Sequence, residues 1–221
     1  MVDDTTLQSM VMDELVWVPN VDAAHIGVAA HDGVVTLTGI VSTFAEKFAA
    51  ERAVRRVKGV RGIAEEIVVR PPSAHKRADE EIAERALKIL AWDVEVPDQE
   101  LQVKVEKGIL TLTGIVANQF QKRKAEDDIR RLSGVTAIVN LIEVRASAID
   151  AAHAGGLHQK IEDALRRSAE LEAAHITVTV QGGKAILQGR VKSWWERGIA
   201  ENAAWAAPGI MEVDDRIVVG G

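Results

Sequence analysis

The stretch that decides the fold is Gly33-Val-Val-Thr-Leu-Thr-Gly39, because it returns twice at a fixed distance. It recurs as Gly108-Ile-Leu-Thr-Leu-Thr-Gly114 and as Gly183-Lys-Ala-Ile-Leu-Gln-Gly189, each copy 75 residues after the one before. Self-similarity at a fixed period marks a chain built from repeated structural units. We therefore predict three tandem domains, over residues 4–70, 79–145 and 156–219, joined by polar or small-residue linkers.

Each unit predicts the order helix, strand, strand, helix, strand. Leu7, Val11 and Leu15 have helical spacing, which predicts a first helix with one buried stripe. The pair Asp32-Gly33 tolerates the positive φ of a tight hairpin turn between the first two strands. Thr43 and the acid three residues later have the spacing of a capping box, which predicts the start of the second helix. The fold class is α+β, and each unit is a small mixed sheet with two helices mainly on one face.

Structural roles are predicted for two sets of glycines. The first set lies on the buried face of the second strand, where we expect the missing side chain to let a helix approach closely. The second set is expected to end the second helix in a left-handed conformation. The two sets are Gly39, Gly114 and Gly189, and Gly59, Gly134 and Gly209.

Composition limits the class of protein. The chain has 221 residues, of which 47% are hydrophobic and 27% charged, as in a globular protein. Its net charge of −6 argues against a nucleic-acid partner, and the absence of cysteine excludes thiolate chemistry. The start lacks the pattern of a secretory signal, so we expect a cytoplasmic protein, or a periplasmic one if the true start lies upstream.

Motifs for catalysis or metal binding are absent from the sequence. The six histidines have no recognised ligand spacing, no serine lies in a nucleophile elbow, and no glycine-rich phosphate loop is present. We therefore expect no enzyme activity, no metal and no cofactor.

Candidate binding residues are basic and aromatic. Trp17 and Trp92 take the same place in the first two units, just past the core stripe of the first helix. An amphipathic ring there suits a membrane interface or a partner, although packing against the unit's own sheet is an equal alternative. Basic side chains on the second helices could add attraction to an anionic bilayer, and an ordinary solvated face is the other interpretation. They are Arg52, Arg55, Arg56, Arg130 and Arg131.

The third unit carries Trp194 and Trp205 on its second helix, eleven residues apart and thus on one face. Trp205 stands where the other units have arginine. Since an apolar face that replaces a charged one is expected to be covered, we predict that it docks on a neighbouring repeat or on a second chain of a homo-oligomer.

The Gly-x-Val-x-Leu-x-Gly strand and the later Gly59-Val60 pair, three times in register, resemble the BON domain of bacterial osmotically inducible and nodulation-associated proteins. The resemblance implies a non-enzymatic module, found mostly in envelope proteins, associated with osmotic stress protection and phospholipid contact. The third copy departs from the pattern at Lys184, Gln188 and Arg190. Two functions stay open: contact with anionic phospholipid or an envelope partner, and a cytoplasmic module that senses a small ligand or ion, or holds proteins, in clefts between repeats.

Overall fold

The computed structural model describes residues 2–72, 77–145, 156–167, 176–181, 183–207 and 209–220. The two predicted linkers fall largely outside these residues, as do His75, His153 and His175. Three units follow one another, each in the predicted order of helix, strand, strand, helix and strand.

The first unit consists of α1 (Asp4–Val16), β1 (Ile26–His31), β2 (Val34–Val41), α2 (Phe44–Arg56) and β3 (Gly62–Val69). The second consists of α3 (Asp79–Trp92), β4 (Leu101–Glu106), β5 (Ile109–Val116), α4 (Gln119–Ile129) and β6 (Ala137–Val144). The third consists of α5 (Leu157–Arg167), β7 (Ile176–Gln181), β8 (Lys184–Val191), α6 (Trp194–Trp205) and β9 (Glu212–Val219).

Each unit has a three-stranded mixed sheet with its second strand in the centre. In the first unit β2 pairs antiparallel with β1 and parallel with β3. The stripe of α1 and the alanines of α2 pack against Val35, Leu37 and Val41 in one buried cluster, so both helices cover the same face. The opposite face is open, since Ile40 and its partner Val68 on β3 are 45% and 53% exposed. The predicted α+β fold of three repeats is confirmed.

The predicted turn and cap signals are confirmed where the structure describes them. Asp32 and Gly33 have φ of 48° and 79°, as a tight hairpin with two left-handed residues requires. Thr43 Oγ1 accepts a hydrogen bond from the Glu46 N–H at 3.1 Å, and the Glu46 carboxylate accepts one from the Ser42 N–H at 3.0 Å. Corresponding bonds start α4 and α6.

The predicted reason for the strand glycines is wrong. Gly39 has φ of 130°, and a Cβ there would lie 2.1 Å from the His25 carbonyl oxygen, just before β1. Gly114 has the same φ and the same 2.1 Å conflict with the Glu100 carbonyl. Gly189 has φ of 144°. The obstacle at Gly39 and Gly114 is therefore the backbone that leads into the neighbouring strand, together with a φ that disfavours side chains, and not a helix.

The second set of glycines serves a turn rather than the helix end itself. Helix α2 ends at Arg56, and the Val60 N–H then donates to the Val57 carbonyl at 3.3 Å. Gly59, with φ of 99°, is the third residue of this four-residue turn, a position that favours glycine when φ is positive. Gly134 and Gly209 repeat the conformation, with φ of 94° and 89°.

Candidate functional site

The second helices of all three units meet around one cavity of about 530 Å³, which we call the central pocket. Equivalent positions of α2, α4 and α6 recur in its lining, so each unit contributes the same part of its fold. Its lining includes aromatic and basic side chains, a glycine and four acids: Phe48, Arg52, Arg55, Lys122, Arg123, Arg130, Trp194, Trp195 and Gly198, with Glu51, Glu126, Asp127 and Glu201.

Two equivalent contacts join the first unit to the other two. Phe44, at the start of α2, packs against the core of the second unit, and Trp194, at the equivalent place in α6, packs against the core of the first. The start of one second helix thus lies against the neighbouring unit in both contacts.

Arginines of one unit lie over aromatic rings of another. The Arg130 guanidinium carbon is 3.5 Å from the centre of the Phe48 ring. Arg52 is 5.3 Å from the Trp195 ring centre, and Arg55 is 6.0 Å from that of Trp194. Attraction between a cation and an aromatic face contributes about 0.5–2 kcal/mol, depending on how far the pair is desolvated. These pairs connect the first unit to both others.

The predicted basic residues therefore do not form one solvated face. Arg55 pairs with Glu51 at 2.6 Å, and Arg56 pairs with Glu14 of α1, also at 2.6 Å. Arg130, with a side chain only 16% exposed, pairs with Glu126 at 3.0 Å and with Asp127 at 2.5 Å. Arg131 is exposed beyond the end of α4. Of the predicted arginines, three line the central pocket and two do not.

Trp17 and Trp92 lie apart from the pocket, at the ends of α1 and α3. They are 83% and 89% exposed, so the alternative that each packs against its own sheet is wrong. Neighbouring Val16 and Val94 are also exposed, at 72% and 98%. The ends of the first helices in two units thus present large apolar side chains to solvent.

A charged network anchors the helix end that carries Trp92. The Lys124 ammonium on α4 donates to Asp93, which follows Trp92, and to Asp128 at 2.6 Å. The hydrogen bond from Lys124 is the main reason that the pKa of Asp93 is lowered, and the Glu95 N–H at 2.8 Å adds to it. The two carboxylates, Asp128 first, raise the pKa of Lys124. Asp93 is therefore charged at neutral pH and ties the end of α3 to α4.

Trp194 and Trp205 have different surroundings. Trp194 packs against the first unit, whereas Trp205 is half-buried against the core of its own unit and its indole N–H donates to Glu201 at 3.2 Å. Arg197 of the same helix also covers the Trp194 ring, at 5.1 Å. Of these two tryptophans, Trp194 is therefore the one that packs against the core of a neighbouring repeat.

Sequence reasoning missed Phe44, Phe48 and Trp195. A signal existed for the aromatic residues, since Phe44 and Trp194 are 150 residues apart and so occupy the same position of the repeat. Comparing the three repeats position by position would have shown an aromatic residue at the start of the second helix in two of them. Lys122 and Arg123 belong to the basic surface that the sequence predicts on the second helices, but nothing in the sequence distinguishes them from the other cations of that surface.

One group of side chains could hold a metal ion by distance alone. The ligand atoms of Asp4, His31 and Asp32 lie within 4.8 Å of one another. The His31 and Asp32 side chains are 88% and 82% exposed, so solvated charge explains the group equally well. None of the described helices has the length and apolar composition that crossing a bilayer requires.

Comparisons with known proteins agree with the repeat. A family model described as the BON domain matches residues 3–71, 78–146 and 154–221. Osmotically-inducible protein Y of Escherichia coli (strain K12) is 27% identical over 148 residues, which are 65% of this chain and 73% of that protein. Two solved chains of CdsD, a structural protein of the Type III secretion system of Chlamydia trachomatis, align at TM-scores of 0.25 and 0.24 with 16% and 14% identity. These alignments cover 100% and 96% of this chain, and 100% and 91% of the CdsD chains.

The TM-scores are too low to bear on the fold. The family model, in contrast, matches three segments that each contain one complete helix-strand-strand-helix-strand unit. The chain therefore belongs to the BON domain family, of which it carries three tandem copies.

Proposed function

We propose that this chain is a non-catalytic, stress-associated binding protein that contacts a phospholipid surface through Trp17 and Trp92. The observation that carries the proposal is the exposure of the two rings, 83% and 89%, at equivalent helix ends. The association with stress is drawn from the BON family and from the name of the osmotically inducible relative.

Tryptophan at a helix end suits the boundary between lipid headgroups and acyl chains. The indole ring is apolar over most of its area and has one N–H for the polar side, which is why tryptophan concentrates at membrane interfaces. Exposure of the two rings and the adjacent valines to water does not stabilise the protein. Their insertion would remove apolar surface from water at about 25 cal/mol per Å².

Contacts between the repeats tie the two rings to one body. Phe44 of the first unit packs against the core of the second, and Trp194 of the third packs against the core of the first. We propose that Trp17 and Trp92 insert into the same bilayer, so that two weak insertions act as a bivalent contact.

We expect electrostatic attraction to contribute less to membrane binding than the basic residues in the sequence indicated. Arg52, Arg55 and Arg130 line the central pocket, where they face aromatic rings or carboxylates. They are therefore engaged before a membrane approaches. We propose that insertion of the rings supplies most of the binding, with a modest preference for anionic lipid from exposed cations such as Arg131.

Co-sedimentation with vesicles tests the proposal. Wild type, the Trp17→Ala/Trp92→Ala double variant and Phe120→Ala are mixed with phosphatidylcholine vesicles, with and without phosphatidylglycerol, at low and high salt. Phe120 is the matched control, since it is an aromatic side chain 55% exposed elsewhere on the surface.

We expect wild type and Phe120→Ala to sediment with both kinds of vesicle and the double variant to stay in solution. Binding that salt abolishes and the double variant retains would contradict insertion by the rings. No binding to any vesicle would refute lipid contact and leave an envelope protein as the partner of the two rings.

A further inference from the structure

The central pocket has the size and walls of a ligand site. Its volume of about 530 Å³ lies within the range of cavities that hold small organic molecules. Phe48, Arg123 and Gly198 occupy the same position in the three repeats and all line the pocket. Phe48 contributes a ring and Arg123 a cation, whereas Gly198 has no side chain and leaves space. No heavy atom lies within 4 Å of where a Cβ of Gly198 would stand, so the glycine keeps the cavity open.

The carboxylates that line the pocket are already engaged. Glu51 pairs with Arg55, Glu126 and Asp127 pair with Arg130, and Glu201 accepts the Trp205 N–H. The lining as a whole has five cations, Arg52, Arg55, Lys122, Arg123 and Arg130, against these four carboxylates, so it keeps a net charge of +1. Among the described residues, none of the four carboxylates forms an ion pair with Arg52, Lys122 or Arg123.

Three cations of the lining have no carboxylate partner among the residues that the structure describes. Arg52 lies over the Trp195 ring, and no ion pair is formed by Lys122 or Arg123 within that part of the chain. Two further donors, the Trp194 indole N–H and the Arg130 Nε–H, are buried without an acceptor there. A surplus of donors and positive charge beside aromatic rings calls for an acceptor-rich, flat ligand.

We propose that the central pocket binds a small soluble organic anion that combines a flat ring with a phosphate or carboxylate. Lys122 and Arg123 hold the anionic group, since among the described lining cations they have neither a carboxylate partner nor an aromatic ring beneath them, whereas Arg52 lies over Trp195. Phe48, Trp194 and Trp195 contact the flat part. This site lies apart from Trp17 and Trp92, so it does not depend on contact with lipid.

Isothermal titration of the full chain tests the site with three probes. Adenosine 5′-monophosphate has a ring and a phosphate, adenosine has the ring alone, and inorganic phosphate has the charge alone. We expect the monophosphate to bind and each partial probe to bind at least about tenfold more weakly, because each lacks one half of the recognition.

Two variants locate the binding. Lys122→Gln/Arg123→Gln removes the two cations proposed to hold the anionic group and is expected to weaken binding of the monophosphate about tenfold or more. Lys88→Gln/Lys104→Gln, at lysines 77% and 74% exposed outside the pocket, is the matched control and is expected to bind like wild type. Gly198→Leu fills the open space and is expected to abolish binding while circular dichroism stays unchanged.

Three results would overturn the site. The first is no binding of the monophosphate or of phosphate by wild type. The second is equal binding of adenosine and the monophosphate, which removes the role of the anion. The third is a Lys122→Gln/Arg123→Gln variant that binds the monophosphate normally, or that loses only vesicle binding. In that last case the pocket receives a lipid headgroup and not a soluble anion.

Discussion

Replacing Trp194 with alanine is expected to weaken the contact between the third repeat and the first. The side chain is half-buried, packs against the core of the first repeat and lies 6.0 Å from Arg55. A tryptophan so placed removes roughly 150 Å² from water, which at about 25 cal/mol per Å² amounts to about 4 kcal/mol. Because Arg197 of its own helix also covers the ring, we assign about half, ~2 kcal/mol, to the contact between repeats.

A loss of ~2 kcal/mol shifts the equilibrium between docked and undocked third repeat by about thirtyfold. Small-angle scattering should therefore show a larger radius of gyration, and urea should release the third repeat at a lower concentration. Trp17→Ala is the control, because that ring is 83% exposed and its removal should change stability by less than about 0.5 kcal/mol. A Trp194→Ala protein with the wild-type radius of gyration and unfolding midpoint would show that this ring does not hold the third repeat against the first.

Two further changes follow from the strands and from the charges. Gly39→Ala should lower the free energy of unfolding, measured in urea, by about 3 kcal/mol or more, because its Cβ would meet the His25 carbonyl at 2.1 Å and φ is 130°. Gly62→Ala is the control: its Cβ would lie 3.5 Å from its nearest neighbour, so the change should be neutral or slightly stabilising. Equal losses of stability in the two variants would contradict the role assigned to Gly39. The melting temperature should fall below about pH 4, because the lowered pKa of Asp93 gives a stabilisation that is present above its ordinary value of 3.8 and lost as the pH falls through the folded value. Asp93→Asn should show a smaller loss between pH 5 and 2 than wild type, and an identical loss would exclude Asp93 as a contributor.

The elements of each repeat could be predicted because their signals are local. The stripe Leu7, Val11 and Leu15 is 1%, 0% and 1% exposed, and helical spacing alone identifies such a buried face. The pair Asp32-Gly33 and the cap at Thr43 likewise depend on a few consecutive residues. None of these predictions depends on contacts with residues of another repeat.

The site could not be predicted in the same way, because its contacts join different repeats. Arg55 and Arg130 look like solvated helix residues in the sequence, since each has an acid within one helical turn. Both do pair with those acids, yet they also lie over rings that belong to another repeat. Gly39 was misinterpreted for a related reason, as its obstacle is a carbonyl oxygen fourteen residues earlier in the chain.

The differences between the copies explain why the central pocket carries unpaired charge. At the start of the second helix the first and third repeats have Phe44 and Trp194, which pack against a neighbouring repeat, whereas the second has Gln119. One turn further on, Arg123 stands where the first repeat has Phe48. The second repeat thus supplies a cation where the first supplies a ring. The three repeats share the same core positions and therefore the same fold. Their second helices differ on the face that lines the central pocket, and these differences make the pocket asymmetric and positively charged.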